Sequence, residues 1–252
     1  MPRFESGCRL QLQRMKAPEI LPGHGEAVGP ERDPKLDRGR EHGRALGITL
    51  LLGAVGALPS LSGDGLVLLF WLGLVALPLG VLFGSARLDL LRFGLVAPAC
   101  WMIALTWVEA RAGAPLPSPL WGALAWSGLF LAGAAWGRAA PRRRWSRAAG
   151  ALLLAGLLAA LPVRAGLPGV PWSPAVATRL LDLSPVTLLA ECSGVRDWMW
   201  RAGVYEQAGV DRFLRTPWRG ELAGPVLLLV GWALSAVGTA LCRARIRTPV
   251  DG

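Results

Sequence analysis

The stretch GLVLLFWLGLVALPLGVLFG, residues 65–84, holds no charged side chain in its whole length. The hydrocarbon core of a bilayer is about 30 Å thick and takes ~20 apolar residues of helix to cross. In lipid every backbone N–H and C=O must be paired internally, and a helix does this within one segment. Residues 65–84 are therefore expected to form a transmembrane helix. The fold class then follows from how often such runs recur. They recur at 45–61, 91–110, 119–137, 148–163 and 222–242. The expected architecture is all-α, a polytopic integral membrane protein with about six transmembrane helices. The runs 45–61 and 148–163 are the shortest and leave open a re-entrant or tilted placement.

The composition agrees with this. The 252 residues are 53% hydrophobic and 17% charged, against about 25% charged in soluble domains. The mean hydropathy is +0.42. A net charge of +10 could point to nucleic acid, but most basic residues lie at the ends of the apolar runs. The expected surroundings are a lipid bilayer, with no nucleic acid. Arginine greatly outnumbers lysine, and Ala, Gly, Leu and Trp are abundant, a skew that suits a GC-rich bacterial genome.

Cytoplasmic loops carry an excess of Lys and Arg. With six crossings and the N-terminus inside, the pieces 1–44, 85–92, 138–147 and 243–252 hold 19 of the 27 Lys and Arg residues. The outer pieces 62–64, 111–118 and 164–221 hold the rest. Both termini are thus expected in the cytoplasm, and the location expected is the inner (cytoplasmic) membrane, multi-pass. Residues 1–44 are polar, with Pro and Gly and no apolar stripe, and are expected to be a disordered tail. No apolar run precedes residue 45, so no cleaved signal peptide is expected. Trp107, Trp121, Trp145 and Trp172 fall near run ends, where indole prefers the headgroup region. Pro78 and Pro98 lie inside runs and should bend their helices.

No Asp, Glu, Lys, Arg or His lies in the middle of a run, which counts against ion-coupled carriers and proton pumps. The pairs Gly80–Gly84, Gly133–Gly137 and Gly231–Ser235 have the spacing that lets helix backbones approach closely. They fit either a homodimer face or packing within the chain. Arg138 with PRRRWSR (141–147) groups basic residues at one edge, as an anionic-lipid contact or a topology determinant.

Residues 164–221 are too apolar for a plain loop. PWSPAVATRLLDL (171–183) places Val176, Leu180, Leu181 and Leu183 roughly on one helical face. Ser184–Pro185 reads as N-cap and first-turn proline of a second helix. Two short interfacial helices are expected here, leading into LLAECSGVRDWMW (188–200). The candidate functional region is Glu191, Cys192, Arg196 and Asp197. Its plainer reading is an ion-paired surface cluster of the charged residues beside a half-buried packing cysteine. The four cysteines, Cys8, Cys100, Cys192 and Cys242, have no metal-clip spacing and suggest no disulfide framework. The two histidines, His24 and His42, lie in the tail, and neither a G-x-S-x-G, an H-E-x-x-H nor a P-loop pattern is present. No catalytic residue, metal or cofactor is assigned.

Glu191-Cys192-Ser193-Gly194 followed by Arg196 resembles the cysteine motif of exosortases, membrane-embedded transpeptidase-like enzymes. That resemblance implies a Cys192 thiolate raised by a downstream histidine. No histidine follows Cys192, and the match of about six residues is read as coincidental. The whole layout resembles the permease subunits of six-span ATP-binding-cassette exporters. LSPVTLLAECSGVRD (183–197) looks loosely like the Leu-Ser-Pro stretch some of them carry after the fifth span. The resemblance implies a chain that dimerises and pairs with a separate ATPase subunit, touched through the cytoplasmic loop 85–92. A membrane scaffold or assembly factor binding an envelope partner is the alternative.

Overall fold

A computed structural model describes residues 39–40, 43–44, 46–51, 54–55, 65–84, 97–106, 118–139, 143–163, 166–167, 170–171, 173–195, 198 and 216–247. These are helical except for short connecting residues and one two-residue antiparallel ladder, which pairs β1 (Gly166–Leu167) with β2 (Val170–Pro171). The helices are α1 (Leu66–Phe83), α2 (Ala97–Thr106), α3 (Pro119–Ala139), α4 (Arg144–Val163), α5 (Pro174–Leu183), α6 (Pro185–Cys192) and α7 (Gly220–Arg247). Three of them are long and apolar enough to cross a membrane: α1, α3 and the Gly220–Cys242 part of α7.

Glycine sets the spacing between these three. A Cβ on Gly80 would overlap the Phe130 carbonyl, and one on Gly137 would overlap the Val81 carbonyl. Between α3 and α7 the same holds for Gly128 against Leu227 and for Gly231 against Gly128. The small-residue pairs seen in the sequence are therefore used inside the chain, where they bring backbones into direct contact. Side chains fill the remaining space. Trp126 of α3 stacks on Phe130, with centroids 5.4 Å apart, and donates its indole N–H to the Leu72 carbonyl of α1 at 3.0 Å. Leu68, Leu69, Leu72, Leu79, Leu105 and Phe130 complete a fully buried core.

The contacts also give direction. Along α1 and α3, Leu72 meets Trp126, Leu77 meets Gly133 and Val81 meets Gly137. Along α3 and α7, Trp121 meets Gly224, Gly128 meets Leu227 and Ala135 meets Gly238. Both series rise together, so α1, α3 and α7 run the same way. α4 runs back: Arg147 donates to the Trp136 carbonyl near the end of α3, and Ala148 and Ala151 cluster with Val81 in the last turns of α1. The three long helices differ in cover. The share buried is 61% for α1 and 67% for α3, but 11% for α7. α7 is the edge of the bundle, and Leu222, Val226, Leu229, Val230 and Trp232 face outward on it.

At one end of the bundle Arg138 closes the three helices together. Its Nε donates to the Gly84 carbonyl at 3.1 Å. Its guanidinium also donates to the Ser235 carbonyl at 3.0 Å, to Ser235 Oγ at 3.1 Å, and to Thr239 Oγ1. Arg138, grouped in the sequence with the basic edge 141–147, thus turns its side chain inward onto these partners. The planar guanidinium reaches the Gly84 carbonyl at the end of α1 and the Ser235 carbonyl within α7, and those bonds hold it inward.

Candidate functional site

The ECSG stretch forms the end of α6, and its residues explain how that helix is made and stopped. Pro185 opens it, with φ already suited to a first turn and no N–H to leave unpaired. Ser184 stands at the N-cap position, but its side chain makes no capping bond, and its buried Oγ has no partner among the described residues. All eight residues of α6 are buried. The helix ends in a Schellman turn: Val195 N–H donates to the Ala190 carbonyl and Gly194 N–H to the Glu191 carbonyl, each at 3.0 Å. The turn needs a left-handed residue, and Gly194 supplies it with φ 95°. The Ser-Gly of the motif is thus a helix stop.

Glycines on three helices make room for α6. Gly73 of α1 lies under Val186, where a Cβ would come within 2.8 Å of the Val186 Cα. Gly122 of α3 would collide with Ser193 Oγ, and Gly220 of α7 with the Cys192 carbonyl. α5 lies more openly. Ser173 Oγ accepts from Val176 N–H to cap it, and only Ala177 and Leu181 are buried on it. Of the expected stripe Val176, Leu180, Leu181 and Leu183, Leu181 is packed inward, while Val176 and Leu183 are 44% and 66% exposed. The expectation of two interfacial helices therefore divides: α5 shows an exposed apolar face, while α6 is built into the core.

Glu191 is the centre of the site. It is 1% exposed and joins the nearby Trp198 to Trp218, 27 residues further along the chain. Oε1 accepts from the Trp198 indole N–H at 3.0 Å, and Oε2 accepts from the Trp218 backbone N–H at 2.8 Å. Trp198 is itself fixed edge-on against Phe70 of α1, with centroids 5.3 Å apart. Glu191 is therefore a buried group and not part of a surface cluster. A carboxylate can be buried when its oxygens accept good hydrogen bonds, and these bonds tie α6 to the entry of α7. Arg196 and Asp197 lie outside the described residues.

Cys192 is fully buried, where half-burial was expected. Burial, and then the neighbouring Glu191 charge, push its thiol up to about 12. The thiolate is the nucleophilic form of cysteine, so in this fold Cys192 is a neutral packing group. Among the described residues Cys100, Cys192 and Cys242 form no disulfide. Among the described residues no group of three His, Cys, Asp or Glu side chains is placed to hold a metal ion.

Two recesses flank the site. One, about 540 Å³, lies between α2 and the start of α3 and is lined by apolar residues such as Met102, Ile103, Leu120 and Ala123, with Thr106 at its edge. The other, about 390 Å³, is amphipathic. Asp182 at the end of α5, and Thr216, Trp218 and Arg219 before α7, join Leu222 and Val226 on the outward face of α7. Trp218 thus has two neighbours: its N–H is held by Glu191, and its indole borders this groove. Sequence reasoning missed Trp218 and the glycines at 73, 122 and 220. Trp218 lies 27 residues from Glu191, and only the Trp-Arg-Gly-Glu run before an apolar stretch marked that entry. No known protein family, curated protein or solved structure matches the chain, so the functional reading rests on this geometry.

Proposed function

We propose that the chain is a six-span protein of the bacterial inner membrane with both termini in the cytoplasm. In this reading it is the permease-like subunit of an ATP-driven exporter and is energised by a separate ATPase. The observation that carries the topology is the common direction of α1, α3 and α7. Two helices that cross a membrane in the same sense need an odd number of crossings between them. α4 supplies a return between α3 and α7, and the segment containing α2 supplies one between α1 and α3. A crossing before α1 completes six. The end where Arg138, Arg143, Arg147 and the last turns of α7 gather is the basic end, which the positive-inside rule assigns to the cytoplasm.

α5 and α6 then lie at the outer end, between the fifth and sixth spans. A pair of short helices there, one of them tucked back into the bundle, is the layout that motivates the exporter reading. A subunit driven by a partner ATPase needs no ionisable residue in its spans to capture a coupling ion. The test is purification of the tagged chain in mild detergent with mass spectrometry of what co-purifies. A stoichiometric cassette ATPase is expected. Recovery of envelope proteins alone would replace the exporter by a membrane scaffold or assembly factor.

A further inference from the structure

We infer that the groove between α5 and the start of α7 is a binding site for a zwitterionic phospholipid with a primary amine in its headgroup. This rests on the membrane reading above. The groove has the two halves such a lipid needs. Leu222, Ala223 and Val226 form an apolar wall that continues along α7 through the outward-facing Leu229 and Val230. An acyl chain laid on that wall stays in contact with the bilayer. In the same lining, Arg219 and Asp182 carry opposite charges on two different elements. A guanidinium favours a phosphodiester, to which it donates in a fork. A carboxylate favours an ammonium that still has N–H donors, which ethanolamine offers and choline does not.

Thr216 and Trp218 are also lining residues, and indole is suited to the interfacial depth. The groove is also held in shape from inside. Glu191 Oε2 fixes the Trp218 backbone, so the wall residue that borders the headgroup is anchored to α6 and not to a free loop.

The experiment is native mass spectrometry of the detergent-purified full chain. It is titrated in turn with phosphatidylethanolamine, phosphatidylcholine and phosphatidylglycerol of matched acyl chains. The wild-type chain is expected to keep one phosphatidylethanolamine in preference to the other two. Arg219→Ala should weaken retention of all three lipids, by roughly tenfold or more for a lost charge-assisted bond. Asp182→Asn should leave phosphodiester binding and remove the preference for ethanolamine over glycerol. A change of headgroup preference is a readout that a general folding defect does not produce. Retention by the wild type that is indifferent to headgroup would overturn the proposal. So would an unchanged preference in Asp182→Asn, or undiminished retention in Arg219→Ala. Alkaline extraction of the expressing membranes separates the two levels. A chain released into the aqueous phase defeats the membrane reading itself, whereas one that stays embedded but shows any of those three results defeats the groove alone.

Discussion

Replacing Glu191 by glutamine keeps the size of the side chain and one of its acceptors. The amide oxygen can still take the Trp198 indole N–H, but the amide nitrogen then faces the Trp218 N–H, donor against donor. A buried donor left unpaired costs ~1–3 kcal/mol. Glu191→Gln should therefore melt at a lower temperature than the wild type in the same detergent, and an unchanged melting curve would show the bridge to be unimportant. Cys192 gives a second test. Its thiol is raised from about 9 to about 12. Between those values the unfolded chain releases the proton while the folded chain keeps it. Stability from this group is complete below pH ~9 and is lost as pH rises toward 12. The melting temperature should fall over that window less steeply in Cys192→Ala than in the wild type. With Cys8, Cys100 and Cys242 replaced by serine, maleimide at neutral pH should label Cys192 only after unfolding. Rapid labelling of the folded chain would mean an accessible, activated thiol. The sequence showed the odd residue types here but not their burial, because the partners of Glu191 come from other segments.

Among the elements, the glycines separate contact from open space. Gly80 sits against the backbone of α3, and a Cβ there would overlap the Phe130 carbonyl. Neither backbone can give without parting the helices. Gly80→Ala should lose about 1–3 kcal/mol, the usual range for an overfilled core. Gly150 is also inside a helix, but nothing lies within 4 Å of an added Cβ. Gly150→Ala should leave the melting temperature unchanged or raise it, since alanine in a helix interior is favoured by roughly 0.5–1 kcal/mol. Equal effects at the two positions would contradict the packing. Much at this scale was legible from periodicity and length. The runs 65–84, 119–137 and 222–242 lie within a few residues of Leu66–Phe83, Pro119–Ala139 and Gly220–Cys242. The Ser184–Pro185 start of α6 was also legible, because proline fixes a first turn locally. The burial of α6 was not. Val186, Leu188 and Leu189 mark only its apolar residues, while Thr187 and Glu191 are buried as well. On α5 the expected stripe divides: Leu181 is buried, while Val176 and Leu183 are exposed, as an interfacial helix would have them.

For the whole molecule, one side chain near the end of α3 ties that helix to the end of α1 and to the later half of α7. Arg138 on α3 reaches the last carbonyl region of α1 at Gly84 and both Ser235 and Thr239 on α7. α7 is the least buried of the three, and it packs on α3 through Gly224, Gly231 and Gly238. Arg138→Lys keeps the charge but offers a single ammonium on a flexible stem, which cannot span carbonyls on two separate helices as the forked guanidinium does. The variant should therefore loosen α7 while the contacts of α1 with α3 at Gly80 and Gly133 persist. A disulfide between cysteines placed at Ala135 and Gly238 would report this, since those residues meet in the fold. In the wild-type background the pair should crosslink efficiently under mild oxidation, and with Arg138→Lys the yield should fall. A control pair between α1 and α3 should be unaffected. If both pairs crosslink equally in the two backgrounds, the glycine seam alone holds α7, and Arg138 serves topology rather than closure.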